Sequence, residues 1–229
     1  MVQKYKDIYI KTYWDYYLLL EERLIKTVNF VAFDEVNNKT YSIEYLALLQ
    51  TICSEIDVVG KEISYYFNPT FDGDNIKKWG YYVQRSLSGI ESQRVIFNHE
   101  RTIIPWSKWT IEERTNKKNQ KYLSYADGCG SPNWWKAYTD VKHARTSLDD
   151  GRVNYHKANQ KNVIDALAAL FLINRLMMIH LDEECYALVK RSELFVIPER
   201  NDEMRTSFVV NADGKPCLVC SVENGKDLV

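Results

Sequence analysis

Residues Val163 to Leu181 place the tightest limit on what this chain can become. Val163, Leu167, Leu170, Asn174, Met177 and Leu181 recur at three- and four-residue steps, and the residues between them are mostly apolar as well. Such a helix is apolar nearly all round, has no side to give to water and must be covered everywhere, either by protein or by lipid. The run also carries Asp165, Asn174 and Arg175, which are expensive in hydrocarbon. The reading is therefore a core helix, with no membrane partner. Asn159 is placed to cap it, and Ala166, Ala168 and Ala169 permit close approach of a neighbour.

A central helix needs others around it, and the chain supplies them. From about Lys4 to Val31, Ile10, Tyr13, Tyr17, Leu20, Leu24, Val28 and Val31 mark a long amphipathic helix. After the break at Asn37-Asn38-Lys39, Ser42 can cap a second one, in which Leu46, Leu49, Cys53, Ile56, Gly60, Ile63 and Phe67 keep the same rhythm until Asn68-Pro69 stops it. Its polar side includes Asp57 four residues before Lys61, the favourable order for an ion pair. Asn75 to Leu87 reads as a shorter helix, Arg94 to Trp106 as a hairpin or irregular insertion, and Glu112 to Gln120 as an exposed loop.

Beyond Glu184 the period changes. Leu194 to Ile197, Ser207 to Val210 and Leu218 to Val222 are short β-prone runs, and Asn211 to Pro216 is a turn signal between the last two. The predicted fold is mainly α: an antiparallel helical bundle over residues 1–185, interrupted by an irregular or β insertion at about 90–130, with residues 186–229 as a small β hairpin or ribbon packed on it.

Several chemistries lack their signature. The net formal charge of -1 gives no global basic field for duplex nucleic acid, so any such contact must be local. Five scattered cysteines read as reduced thiols in a cytoplasmic protein instead of a disulfide framework. Cys217 and Cys220 form a lone C-x-x-C without further zinc ligands. No phosphate-binding glycine loop, nucleophile elbow or H-E-x-x-H is present. Neither a metal site nor a cofactor is predicted.

One stretch does combine the ingredients of a site: Ser131-Pro132-Asn133-Trp134-Trp135-Lys136-Ala137-Tyr138-Thr139-Asp140-Val141-Lys142-His143-Ala144-Arg145. Ser131 can cap a helix and Pro132 suits its first position. Lys142, His143 and Arg145, joined by Lys136, Arg152 and His156, then make a locally positive face with a group that exchanges protons near neutral pH. Such a set suits a phosphodiester: Lys or Arg stabilises charge growing on phosphate, and His moves a proton at the attacking or leaving oxygen. RNA supplies its own 2′-hydroxyl as nucleophile. The plainer alternative is that Asp140 and Asp149 or Asp150 neutralise these bases on a solvated face, with His143 packed beneath.

The order of two long helices, an insertion, W-W-x-x-Y-x-x-V-K-H-x-R and an Ala-rich core helix resembles divergent bacterial members of the HEPN superfamily, over roughly residues 1–185. That resemblance implies a helical bundle that dimerises, and an RNA-targeting role, in many members a metal-independent endoribonuclease of toxin–antitoxin, CRISPR or phage-defence systems. The family motif pairs an Arg with a His after four to six residues. Here His143 takes the His position and Tyr138 the Arg position, a departure that leaves charge to Lys142 or Arg145. Glu55, Asp57 and Lys61 would support this site from the second helix. The other function class is a non-catalytic dimerising or adaptor module whose Trp pair or β tail binds a protein.

Overall fold

The apolar run is one unbroken helix, Gln160–Leu181, capped by the Asn159 side chain, which accepts from Asn162 N–H at 3.1 Å. A computed structural model describes residues 2–182, 189–198, 205–210 and 216–221. Within them the α-helices are α1 (Val2–Tyr9), α2 (Asp15–Lys26), α3 (Ile43–Phe67), α4 (Ile76–Ser86), α5 (Asn133–Ala144) and α6 (Gln160–Leu181). The strands are short: β1 (Val95–Phe97), β2 (Arg101–Ile103), β3 (Ile111–Thr115), β4 (Lys121–Tyr125), β5 (Leu148–Asp149), β6 (Arg152–Val153), β7 (Phe195–Val196), β8 (Arg205–Val210) and β9 (Pro216–Ser221). The chain is mainly α.

Helix α6 is covered by α1, α2, α3 and α5 and by β1. It is long and apolar enough to cross a bilayer, yet 89% of its most apolar window lies inside the molecule. Helix α3 begins where Ser42 Oγ accepts from Tyr45 N–H at 3.0 Å and ends at Asn68, the residue before Pro69. The first amphipathic helix differs from expectation. Residues Ile10–Trp14 form a π turn, so Tyr9 and Trp14, five residues apart, are both fully buried, while Ile10 and Tyr13 are only partly so and Val28 is exposed. A π turn holds one extra residue, which shifts the buried face of the helix preceding it.

Five of the six tryptophans gather where α3, α4 and α5 meet: Trp79, Trp106, Trp109, Trp134 and Trp135 form a chain of ring contacts with centroids 4.2–6.2 Å apart. Gly60 makes room for this cluster, because a Cβ there would sit 2.5 Å from the Trp79 ring. Trp106 donates to the Ala169 carbonyl at 3.3 Å, reaching the α6 backbone beside the alanines.

Strand β1 pairs antiparallel with β2 and, on its other edge, with β7. Part of the C-terminal β-prone sequence thus joins the insertion's sheet, and Phe195 packs between Phe97 and Phe171. Buried Glu21 of α2 holds the approach to β7: its carboxylate accepts from Tyr17 Oη, Ser192 Oγ and the N–H groups of Glu193 and Leu194. Strands β8 and β9 pair with each other, and the turn residues 211–215 lie outside the described residues.

Residues expected to be a loop are instead a hairpin. Strands β3 and β4 pair across Asn116–Gln120, where the Asn116 side chain accepts from the N–H groups of Lys118 and Gln120. The strands lie against α4, and the side chain of Gln84 accepts from Ile111 N–H while donating to Trp109 O.

Candidate functional site

Helix α5 starts at Asn133 rather than under a Ser131 cap. Ser131 Oγ is engaged with Tyr125 Oη at 2.7 Å, and Pro132, with φ -53° and ψ 149°, occupies the capping position. The helix buries Trp134, Ala137, Tyr138 and Val141, the i, i+3, i+4, i+7 stripe that presses it onto the core. Lys136, Lys142, His143 and Arg145 are all exposed. They do not share one face. Lys136, Asp140 and His143, at i, i+4 and i+7, lie along one side, whereas Lys142 lies over the Tyr138 ring at 5.3 Å from its centroid.

Tyr138, the residue at the motif Arg position, is buried and packs against Trp135. Its ring is a support for Lys142, so most of the side chain is spent on packing. The Trp pair is likewise mostly interior: Trp134 is 2% exposed and donates to Pro105 O at 2.8 Å. The helix ends at Ala144, and Asp150-Gly151 lie just beyond it. With φ of +48° and +73° these two residues form the turn of the hairpin β5–β6, the backbone that two-residue hairpin turns require.

That hairpin folds back on α5. Asn154 Nδ2 donates to Ala144 O at 2.9 Å, Tyr155 N–H donates to Arg145 O at 3.0 Å, and Asn154 N–H donates to Ser147 O at 2.9 Å. Arg152 and His156 are therefore delivered to the end of α5 that carries Lys142, His143 and Arg145. The residue that fixes the charge pattern is Lys157, which sequence reasoning passed over. Its ammonium donates to Asp140 Oδ2 and to Asp149 Oδ2, each at 2.6 Å. Burial alone would lower the Lys157 pKa, but the two carboxylates outweigh it and hold it above the ordinary lysine value. The Lys157 hydrogen bond in turn holds Asp149 below the usual aspartate value. Asp140 and Asp149 are thus engaged by a different cation, and Asp150, the remaining candidate, forms no ion pair with the α5 bases among the described residues. Nor is His143 packed beneath them.

The expected support from α3 divides. Asp57 accepts from Lys61, as the spacing predicts, and from Trp79 Nε1 at 2.9 Å. Glu55 faces the other way, toward Tyr9 and Tyr13 of the first helical segment, and burial raises its pKa. Beside it Tyr5 donates to Glu62 at 2.8 Å, and Tyr13 is pushed up to about 12, first by burial and then by the charges of Glu62 and Glu55. Among the described residues none of Glu55, Asp57 and Lys61 bonds to an α5 side chain, so they hold the bundle together and do not orient His143.

Two open clefts flank α5. The one at its N-terminus, about 610 Å³, contains Arg101, whose Nη1 donates to Asn38 while its buried Nη2 has no hydrogen-bond partner among the described residues, and Lys161, which is bonded to Asp165. The one next to its C-terminal end is lined by Lys39, Tyr41, Arg152, His156 and Lys157, with Asp149 and Asp150 at the turn. Tyr41 carried no sequence signal, since it lies in a connector with no motif around it. Among the described residues no cluster of three or more His, Cys, Asp or Glu could hold a metal ion. The chain matches no family model, no curated protein and no solved structure.

Proposed function

We propose that this is a HEPN-like, RNA-targeting protein whose basic end of α5 grips the phosphate backbone and whose His143 serves as the acid–base group of a metal-independent endoribonuclease. The observation that carries this reading is the diversion of Asp140 and Asp149 to Lys157, which leaves Lys142, His143 and Arg145 exposed with no ion pair among the described residues and Lys136 exposed with only the charge of Asp149 acting on it. Cations placed this way attract a polyanion. In the reaction the 2′-oxygen forms a bond to the adjacent phosphorus as the 5′-oxygen leaves. His143 takes the 2′-hydroxyl proton or gives one to the leaving oxygen, while Lys142 or Arg145 stabilises the phosphorane charge. By the same resemblance the working form is a homodimer.

The test is incubation of the purified protein with labelled single-stranded RNA in the presence of a chelator. Cleavage is expected, and His143→Ala should slow it by about 100-fold or more. Equal cleavage by the variant removes His143 from the mechanism. RNA that is bound and left intact selects binding without chemistry.

A second reading, a non-catalytic dimerising or adaptor module, is favoured by two observations. Buried Tyr138 supplies no charge where the motif has Arg, and the connector between α2 and α3 exposes Phe30 and Val36 at 89% and 87%, next to Ile43 at the start of α3 at 77%. Co-purification of a protein partner that Phe30→Ser abolishes, with no effect of any α5 substitution, would select it.

A further inference from the structure

We propose that Tyr41 and His156 form a stacking platform for an unpaired base of single-stranded RNA, with Lys39 and Arg152 holding the flanking phosphates. The inference rests on the RNA-targeting reading and specifies where a base is held. The two rings are 4.1 Å apart at their centroids and 24° from parallel, and Tyr155 braces Tyr41 edge-on at 5.3 Å and 79°. The backbone under the platform is fixed: Tyr41 bridges to Asn159, and Gln160 N–H donates to Thr40 O at 2.9 Å. Despite three aromatic rings in contact, Tyr41 remains 42% exposed. A stack built only to fill a core would bury that surface. Here it lines an open cleft of about 720 Å³ whose walls carry Lys39 and Arg152, with Lys157 taken up by Asp140 and Asp149 and with Asp150 at the turn.

A rigid aromatic stack with a free side, rimmed by cations, is the arrangement by which proteins hold unpaired bases without reading their sequence. Duplex bases are already stacked on each other and cannot use it. The platform's position also matters. Tyr155 and Lys157, on either side of His156, are tied to Arg145 and Asp140 of α5, so the platform and the basic end of the helix are fixed to one another. The platform is then the anchor and α5 the place where the backbone is acted on.

The test uses fluorescence anisotropy with three labelled probes of equal length: a single-stranded RNA, the same strand with abasic residues at every second position, and the corresponding duplex. The wild-type protein should bind the intact strand at least about 5-fold more tightly than the abasic strand, the loss of one stacked base being worth that much or more. Tyr41→Ala should bring intact-strand affinity down by a similar factor and leave abasic-strand affinity unchanged, while Tyr41→Phe should retain binding. Equal wild-type affinity for intact and abasic strands overturns the platform even if Tyr41→Ala folds poorly, and leaves the RNA-targeting reading standing. Tighter binding of duplex than of single strand also overturns it. No measurable binding of any probe at low salt overturns both.

Discussion

Replacing Glu21 with Ala isolates the device that fastens the C-terminal part of the fold to the core. The Glu21 side chain is 2% exposed and accepts from Tyr17 Oη at 2.6 Å, from Glu193 N–H at 3.0 Å and from Leu194 N–H at 3.2 Å, together with Ser192 Oγ. In the variant the two hydroxyls can turn to each other, since Tyr17 Oη and Ser192 Oγ already lie 2.8 Å apart. The two backbone N–H groups have no such recourse. Stranding the buried Leu194 donor costs about 1–3 kcal/mol, and the part-buried Glu193 donor adds to it, so the pair costs about 2 kcal/mol or more. At roughly 2–4 °C per kcal/mol for a chain of this size, a loss of about 2 kcal/mol lowers Tm by about 4–8 °C. Thermal unfolding followed by circular dichroism measures the shift, and hydrogen exchange should show the Glu193 and Leu194 amides losing protection before the α6 amides do. Glu22→Ala is the control, because Glu22 sits next in sequence but is exposed, paired with Lys26 and within reach of the Lys190 charge; its Tm should move by less than about 2 °C. A Tm change below about 2 °C in Glu21→Ala, with both amides still protected, would refute the clamp.

Gly60→Ala sets two effects against each other: helix propensity favours Ala by about 1 kcal/mol, but the new Cβ would lie 2.5 Å from the Trp79 ring, an overpacking that costs about 1–3 kcal/mol. Net destabilisation in a denaturant titration is expected, and a stabilised variant would show that the Trp79 contact is loose. Burial holds Glu55 above its ordinary value of 4.5, so folding disfavours its ionised form and stability falls as pH rises from 4.5 through the raised value. Glu55→Gln should therefore raise Tm relative to the wild type at pH 7 and match it at pH 4, whereas an equal difference at both pH values would contradict the assignment. Lys157→Met uncovers Asp140 and Asp149 beside the α5 bases; RNA binding should weaken, and adding Asp140→Asn should restore part of it. Unchanged affinity in Lys157→Met would mean that these carboxylates do not govern the face.

Periodicity made α3 legible because burial imposes it at three- and four-residue steps, and continuous hydrophobicity made α6 legible because it is buried on all sides; both carry their caps, Ser42 and Asn159, in the expected places. The first helical segment was half legible, since a step of five from Tyr9 to Trp14 breaks that rhythm and only a π turn accommodates it. Strands β3 and β4 were hidden by their own chemistry. They alternate charged and polar side chains toward water and are held by Gln84 and a single packed face, so hydrophobicity said loop. Asp150-Gly151 did carry a hairpin signal, but the flanking strands are two residues each and the α5 pattern ran into them. In the candidate site, the sequence left open whether His143 was exposed or packed beneath the acids, and the buried stripe of Trp134, Ala137, Tyr138 and Val141 decides for exposure. The role of Lys157 could not be read, because Asp140 and Asp149 approach it only through a turn that reverses the chain.

The place of α6 in the chain has a consequence for how the protein is made. Ribosomes deliver residues at about 5–20 per second, and the helix that α1, α2, α3 and α5 all pack against is synthesised after every one of them. Until Leu181 has emerged, the apolar face of α3 and the indole rings around Trp79 have no permanent cover. Helices can form early, but the core closes late and through contacts distant in sequence, which slows folding and lengthens exposure to aggregation. Production of this protein should accordingly respond to slower synthesis or added chaperone more than to any single surface substitution.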